Sequence, residues 1–166
     1  MSLNPALEDA GFCPRCGAQA TVDFPRSLRC TRCDYIAFYN PKPVGCAVPR
    51  DEQGRVWLAR RGHEPGKGRW SMPGGFVDLG ETVETAILRE LDEEMQVGAD
   101  IGALVGVYSR ADAAAVVIVF EARLSGTPRA TDEAPEVRAF EAREVPWDEL
   151  AFPSDSAALR AVFERG

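Results

Sequence analysis

Three glutamates, Glu90, Glu93 and Glu94, stand at i, i+3 and i+4. On an α-helix that spacing projects them from one face. Carboxylates this close repel one another by a few tenths of a kcal/mol per pair even in water. A solvated acidic face is one account of them. A hard-cation site is the other, because Mg²⁺ prefers oxygen ligands and carries phosphate oxygens with it. A second cluster lies near the start of the chain: Cys13, Cys16, Cys30 and Cys33 form C-x2-C-x13-C-x2-C. Each pair sets two thiolates on one tight turn, and two such turns make the tetrahedral site that Zn²⁺ takes. Two disulfides or free thiols are the competing account. Four cysteine ligands leave no position for water, so this site is structural rather than catalytic. Cys46, alone in an apolar strand, reads as a small core residue.

The elements that must position these groups follow from pattern. Thr82 to Val97 reads as a helix, with Thr82 as N-cap, Glu84 in the favourable first turn and Gly98 as the stop. Ile87, Leu88, Leu91 and Met95 make an apolar stripe beside the glutamates, so one side anchors the helix while the neighbouring side offers carboxylates. Val44 to Arg50 and Arg55 to Arg60 read as strands joined by a hairpin turn at Asp51-Glu52-Gln53-Gly54. Trp70 to Pro73 is a short extended piece. Leu104 to Tyr108, Ala115 to Leu124 and Val137 to Phe140 are further strands, the second apolar enough to be central. Gly62 to Gly68 and Gly126 to Pro135 are loops, and Asp155 to Glu164 is a terminal helix. Met1 to Ala10 reads as a frayed or loosely docked start. Asn40-Pro41-Lys42-Pro43 is a stiff extended joint, which divides residues 10–38 from 39–166. Mixed strands and helices make the class α/β or α+β.

The chain has 166 residues, 45% of them hydrophobic, with 26 acidic and 19 basic side chains and a net charge of −7. That acidic balance argues against broad binding to nucleic acid or anionic membrane, although a bound cation reverses the field locally. No apolar run approaches the roughly 20 residues of a membrane span. No secretory signal precedes the first element, so the cysteines are read in a reducing, cytoplasmic setting where close pairs hold metal. The cysteine segment is too small to bury a useful core, and metal binding would supply its folding energy.

Gly75, five residues, Glu81, seven residues, then Arg89-Glu90-Leu91-Asp92-Glu93-Glu94 resembles the Nudix box, G-x5-E-x7-R-E-U-x-E-E-x-G-U, at every fixed position except Gln96, where the family has glycine. Gly98 would then serve as the exit, with a slightly longer helix. The resemblance implies a Nudix α/β/α sandwich with a mixed sheet, preceded by a small zinc ribbon. It implies that Glu90 and Glu94 are the main ligands of a catalytic Mg²⁺ (or Mn²⁺), with Glu93 in the same cluster. Glu81 would be an outer metal contact, and the Gly74 carbonyl a further ligand. Gly75 would let the chain turn close to the metal, and Arg89 would orient the glutamates. Glu93 and Glu136 are the candidate bases, and Glu133 ranks below them.

The ribbon, the Tyr39-Asn40-Pro41-Lys42-Pro43 joint, the run Glu64 to Gly75 and the ending Glu144 to Pro153 together resemble the zinc-ribbon Nudix group. That group includes NADH pyrophosphatases and a shorter class similar to FAD and ADP-ribose pyrophosphatases. The S-Q-P-W-P-F stretch of the NADH enzymes is absent after the box, which favours the shorter class. The implied reaction is hydrolysis of the diphosphate of ADP-ribose or FAD, releasing AMP. The alternatives are NADH or another dinucleotide, NAD-capped RNA, a nucleoside triphosphate, and a non-catalytic nucleotide sensor. Tyr39, Phe38 or Trp70 could stack on a base, and Arg60, Arg61 or Arg110 could meet phosphate. His63, the one histidine, is assigned no catalytic role. The partner is a small nucleotide. A homodimer is the habit of such folds, and nothing in the chain marks its interface.

Overall fold

A computed structural model describes residues 4–165. The chain divides into two compact units, Met1–Lys42 with Arg110–Ala115, and Pro43–Ser109 with Val116–Gly166.

The first unit begins with one helical turn, α1 (Pro5–Glu8), whose Leu7 is 1% exposed. The expected frayed start is therefore corrected over the described part: a buried leucine and an Asn4 side chain bonded to the Pro25 carbonyl hold it down. The expectation for Met1, Ser2 and Leu3 lies outside the described residues. Three short antiparallel strands follow, β1 (Ala20–Asp23), β2 (Ser27–Cys30) and β3 (Ile36–Phe38).

The second unit is built on a sheet ordered β10-β5-β4-β9-β8. Its strands are β4 (Lys42–Arg50), β5 (Val56–Arg60), β8 (Ala99–Ser109), β9 (Ala115–Leu124) and β10 (Glu136–Phe140). Two short strands attach to it, β6 (Trp70–Ser71) to β5 and β7 (Gly74–Phe76) to β4. Successive strand residues point to opposite faces, and two cores result. Cys46, Val48, Val56, Leu58 and Val119 pack with Leu159 and Val162 of α3 (Pro153–Arg165). Ala47, Ala59 and Ala122 pack with Ile87, Leu91 and Met95 of α2 (Val83–Met95). The helices cover opposite faces, which makes the α/β/α sandwich that the resemblance implied. Burial of each large α2 side chain contributes roughly 2 kcal/mol.

The box helix differs from expectation at its exit. Thr82 caps the N-terminus as expected, its hydroxyl accepting the Thr85 amide. The helix does not run on to Gly98. It stops at Met95, and Gln96 itself takes the left-handed conformation (φ 49°), its amide donating to the Asp92 carbonyl. The turn is needed here because Val97 must enter the core at 4% exposure. A glutamine in this conformation is strained by about 1 kcal/mol relative to glycine. The terminal helix starts at Pro153, two residues before the expected Asp155; proline suits a first helical turn.

Candidate active site

Arg89 is the hub of the box. Its Nε and Nη2 donate to the two Glu81 carboxylate oxygens at 2.8 and 3.1 Å. Nη1 donates to Glu90 Oε1 at 2.7 Å and to Glu93 Oε2 at 2.9 Å, and Nη2 also reaches the Phe76 carbonyl at 3.0 Å. Five donors in a rigid fork suit this arrangement, where lysine would serve one or two partners. The guanidinium holds Glu81 below the usual carboxylate range.

Glu94 is set apart from Arg89. Its Oε2 accepts the Gly74 amide at 3.0 Å, and the side chain is buried. Burial pushes its carboxyl up to about 7, and the neighbouring Glu90 charge adds to the shift. Glu90 is raised too, first by burial, against the pull of Arg89. Gly75 faces Glu90 so closely that a Cβ there would overlap the carboxylate, and a Cβ at Gly74 would overlap the Gly45 carbonyl. Gly75 is thus required by close approach, and Gly74 by close approach together with its positive φ of 152°.

This donor set fits a hard divalent cation: oxygen ligands only, two of them part-buried carboxylates whose charge the protein does not fully neutralise. Among the described residues, only the four cysteines bring their ligand atoms within 4.8 Å of one another. The glutamates are held individually by Arg89 and Gly74.

The expected site residues Gly74, Gly75, Glu81, Arg89, Glu90, Glu93 and Glu94 lie together. Glu136 stands on β10, where Arg60 Nε donates to it at 2.7 Å. The loop residue Glu133, ranked lower from sequence, raises the carboxyls of both Glu90 and Glu94 through its charge. Its loop is pinned to the end of α2. Arg129 N donates to the Met95 carbonyl at 2.8 Å, Thr131 Oγ1 to the Glu94 carbonyl at 3.1 Å, and Gly62 N to the Glu133 carbonyl at 2.9 Å. Sequence reasoning missed Thr131 and Gly62, because neither carries a spacing signal and both act through backbone contacts.

Of the arginines considered for phosphate, Arg60 is engaged by Glu136 and the Gly68 carbonyl, and Arg110 by Asp112. Arg61 lies over the Phe152 ring at 5.1 Å and acts electrostatically on Glu94. Trp70 is 2% exposed, edge-on to Phe140, and is a core residue rather than a base platform. Phe38 and Tyr39 are exposed.

In the first unit, Cys13 and Cys33 sulfurs are 3.7 Å apart and Cys16 and Cys30 sulfurs 3.6 Å, too far for disulfides. A tetrahedral ion with bonds of about 2.3 Å has sulfur–sulfur edges of about 3.8 Å. The amides of Arg32 and Cys33 point at the Cys30 sulfur, at 3.3 and 3.4 Å, which favours the thiolate.

A sandwich carrying this loop, helix and carboxylate set defines a class, and residues 40–165 match the NUDIX domain: the chain belongs to the Nudix family. It is similar to an ADP-ribose pyrophosphatase of Methanocaldococcus jannaschii, 34% identical over 108 residues, covering 61% of this chain and 62% of that protein. It is also similar to the NAD-capped RNA hydrolase NudC of Haemophilus influenzae, 34% identical over 57% of this chain and 36% of that one. The chain thus spans less than two thirds of either relative. A crystal structure of a NUDIX hydrolase from Nitrosomonas europaea matches 94% of this chain and 92% of its own, with TM-score 0.85 and 31% identity. No helix among the described residues is long and apolar enough to cross a membrane.

Proposed function

We propose that the chain is a Mg²⁺-dependent pyrophosphohydrolase acting on a nucleoside diphosphate linked to another group, with ADP-ribose or FAD favoured. The observation that carries this reading is the pair of carboxylates Glu90 and Glu94 beside Gly74, both raised first by burial, with the Glu90 charge adding to the shift of Glu94 and the Glu93 charge to that of Glu90. Similarity to an ADP-ribose pyrophosphatase supports the substrate class. Glu90, Glu94 and the Gly74 carbonyl would hold the ion, with Glu93 and Glu81 contributing on the Arg89 side. A divalent ion there polarises a diphosphate and lowers the pKa of an attacking water.

The remaining work falls to the chain's own residues. Arg89 keeps Glu81, Glu90 and Glu93 in register through charge-assisted bonds. Glu93 and Glu133 are the candidates to accept the proton of the attacking water, and Arg61 to meet phosphate charge. Water adds its oxygen to one phosphorus, the bridging P–O bond breaks, and ADP-ribose would yield AMP and ribose 5-phosphate. The four cysteines would hold a structural Zn²⁺, with residues 10–38 as a ribbon and 39–166 as the catalytic domain. Such a protein would work in the cytoplasm, and as a homodimer if it follows the habit of its fold.

The test is Mg²⁺-dependent turnover of ADP-ribose, FAD, NADH and NAD-capped RNA side by side, with products separated and Glu94→Gln as control. AMP from ADP-ribose or FAD, lost in the variant, supports the reading. Faster release from NADH or the capped RNA would move the substrate to the class of the NudC relative. No cleavage of any would sink it.

A further inference from the structure

Among the described residues, the buried polar side chains are Ser71, Glu94 and Asp155. They lie along one path. Asp155, 2% exposed, stands in the first turn of α3, and its Oδ2 accepts the Phe152 amide at 3.1 Å. The Met72 amide and the Ser71 hydroxyl lie against the same carboxyl and work against the effect of its burial, and the Ser71 hydroxyl donates to the Met72 carbonyl at 3.0 Å. Two residues on, the Gly74 amide donates to Glu94. Pro73, between them, has no amide proton, and its carbonyl accepts the Ala47 amide at 3.0 Å. Two buried carboxylates, one from each covering helix, therefore lie against the segment Met72-Pro73-Gly74: Glu94 accepts the Gly74 amide, and Asp155 stands beside the Met72 amide. The strand leading in is fixed as well, since Ser71 pairs with Ala59 of β5 and the Ala151 amide donates to the Trp70 carbonyl at 2.8 Å.

A buried carboxylate costs several kcal/mol unless fully bonded. Reaching back from the third helical position to the Phe152 amide needs no charge, because a neutral glutamine serves that role in a capping box as glutamate does. The second and third contacts, on the segment that carries Gly74, are what the carboxylate adds. We propose that Asp155 is a positioning residue for the box: from α3 it fixes Ser71 and Met72, and through Pro73 it sets the Gly74 peptide against Glu94. This rests on the reading of Gly74, Glu90 and Glu94 as a metal site, and it extends the machinery to a helix outside the Nudix box.

The test compares full-length Asp155→Ala, Asp155→Asn and Val162→Ala. Val162 lies in the same helix and core, so its truncation reports loss of packing alone. Asparagine keeps an acceptor for the Phe152 cap but lacks the second oxygen for Met72, so it preserves the helix if alanine does not. The first readout is hydrogen exchange at the Gly74 amide, which needs no metal. The second is Mn²⁺ affinity without substrate. Exchange at Gly74 about tenfold faster in both Asp155 variants than in Val162→Ala, with Mn²⁺ binding weakened in step, supports the proposal. Gly74 exchange in either Asp155 variant no faster than in Val162→Ala overturns it. Wild-type protein that fails to bind Mn²⁺ overturns the metal-site reading instead, while the exchange data still decide the positioning of Gly74.

Discussion

Gly75 and the Glu90 carboxylate occupy adjoining space, so that a single methyl group at residue 75 would take the place of a carboxylate oxygen. This relationship ties the loop before the helix to its ligand face. Gly75→Ala should displace Glu90, lowering kcat at least about 100-fold and weakening Mn²⁺ binding. The melting temperature should change little, because the residue is not in either core. Steady-state kinetics beside a thermal melt would check both halves.

Glu133 and Glu136 should separate cleanly. The Glu133 charge acts on Glu90 and Glu94 from a loop pinned to α2, whereas Glu136 pairs with Arg60. Loss of a general base costs about 10²–10⁴ in rate. Glu133→Gln is expected to fall in that range with KM nearly unchanged, and Glu136→Gln to stay within about threefold of the parent. The reverse pattern in kcat would restore Glu136 as the base.

Gln96 closes the box helix in a left-handed conformation that glycine adopts without strain. Gln96→Gly should therefore stabilise the protein by about 0.5–1 kcal/mol, with activity unchanged, as urea unfolding would measure. A destabilised variant would mean that the glutamine side chain makes a compensating contact.

Asp155 should leave a pH signature in stability. Burial raises its carboxyl to about 7, against 3.8 for the free side chain. The groups facing it are Arg61, Cys46 and Ser71, with Phe152 and Met72 amides. A raised acid favours folding below the unfolded pKa, and that contribution drains away as pH rises from about 4 through about 7. The span is on the order of 4 kcal/mol. Asp155→Asn cannot ionise, so its stability should fall less than the parent's between pH 5 and pH 8. Parallel pH profiles in chemical denaturation would refute this.

The cysteine cluster should carry about one equivalent of Zn²⁺ per chain, measurable by elemental analysis. Cys16→Ser should lose the ion, and strong chelators should unfold Met1–Lys42 first, because among its described residues that unit encloses only Leu7 and Leu28 as large aliphatic side chains. Full retention of near-native protection in that unit without metal would remove zinc from its folding.

Much of the site was legible in the sequence because its signals are local. Glu90, Glu93 and Glu94 share a helix face through the 3.6-residue period, and Arg89 precedes them by one residue. The cysteine pairs sit on turns whose geometry depends on two intervening residues. The hairpin of β4 and β5 was likewise marked by its local turn, Asp51-Glu52-Gln53-Gly54. The exit at Gln96 was misread because its driving force is tertiary: Val97 must reach the core, and that demand overrides the preference for glycine.

What the chain determined by itself is the identity of the clustered carboxylates and the helix face they share. What only the tertiary structure decided is which distant groups meet them. The Glu133 charge is felt at Glu90 and Glu94 because its loop bonds to the Glu94 and Met95 carbonyls, while Glu136, three residues later, is turned to Arg60 by the register of β10 with β5. Asp155 meets Met72 across more than eighty residues of sequence. Such contacts depend on sheet register and helix docking, which many side chains set jointly, so no short window of sequence contains them.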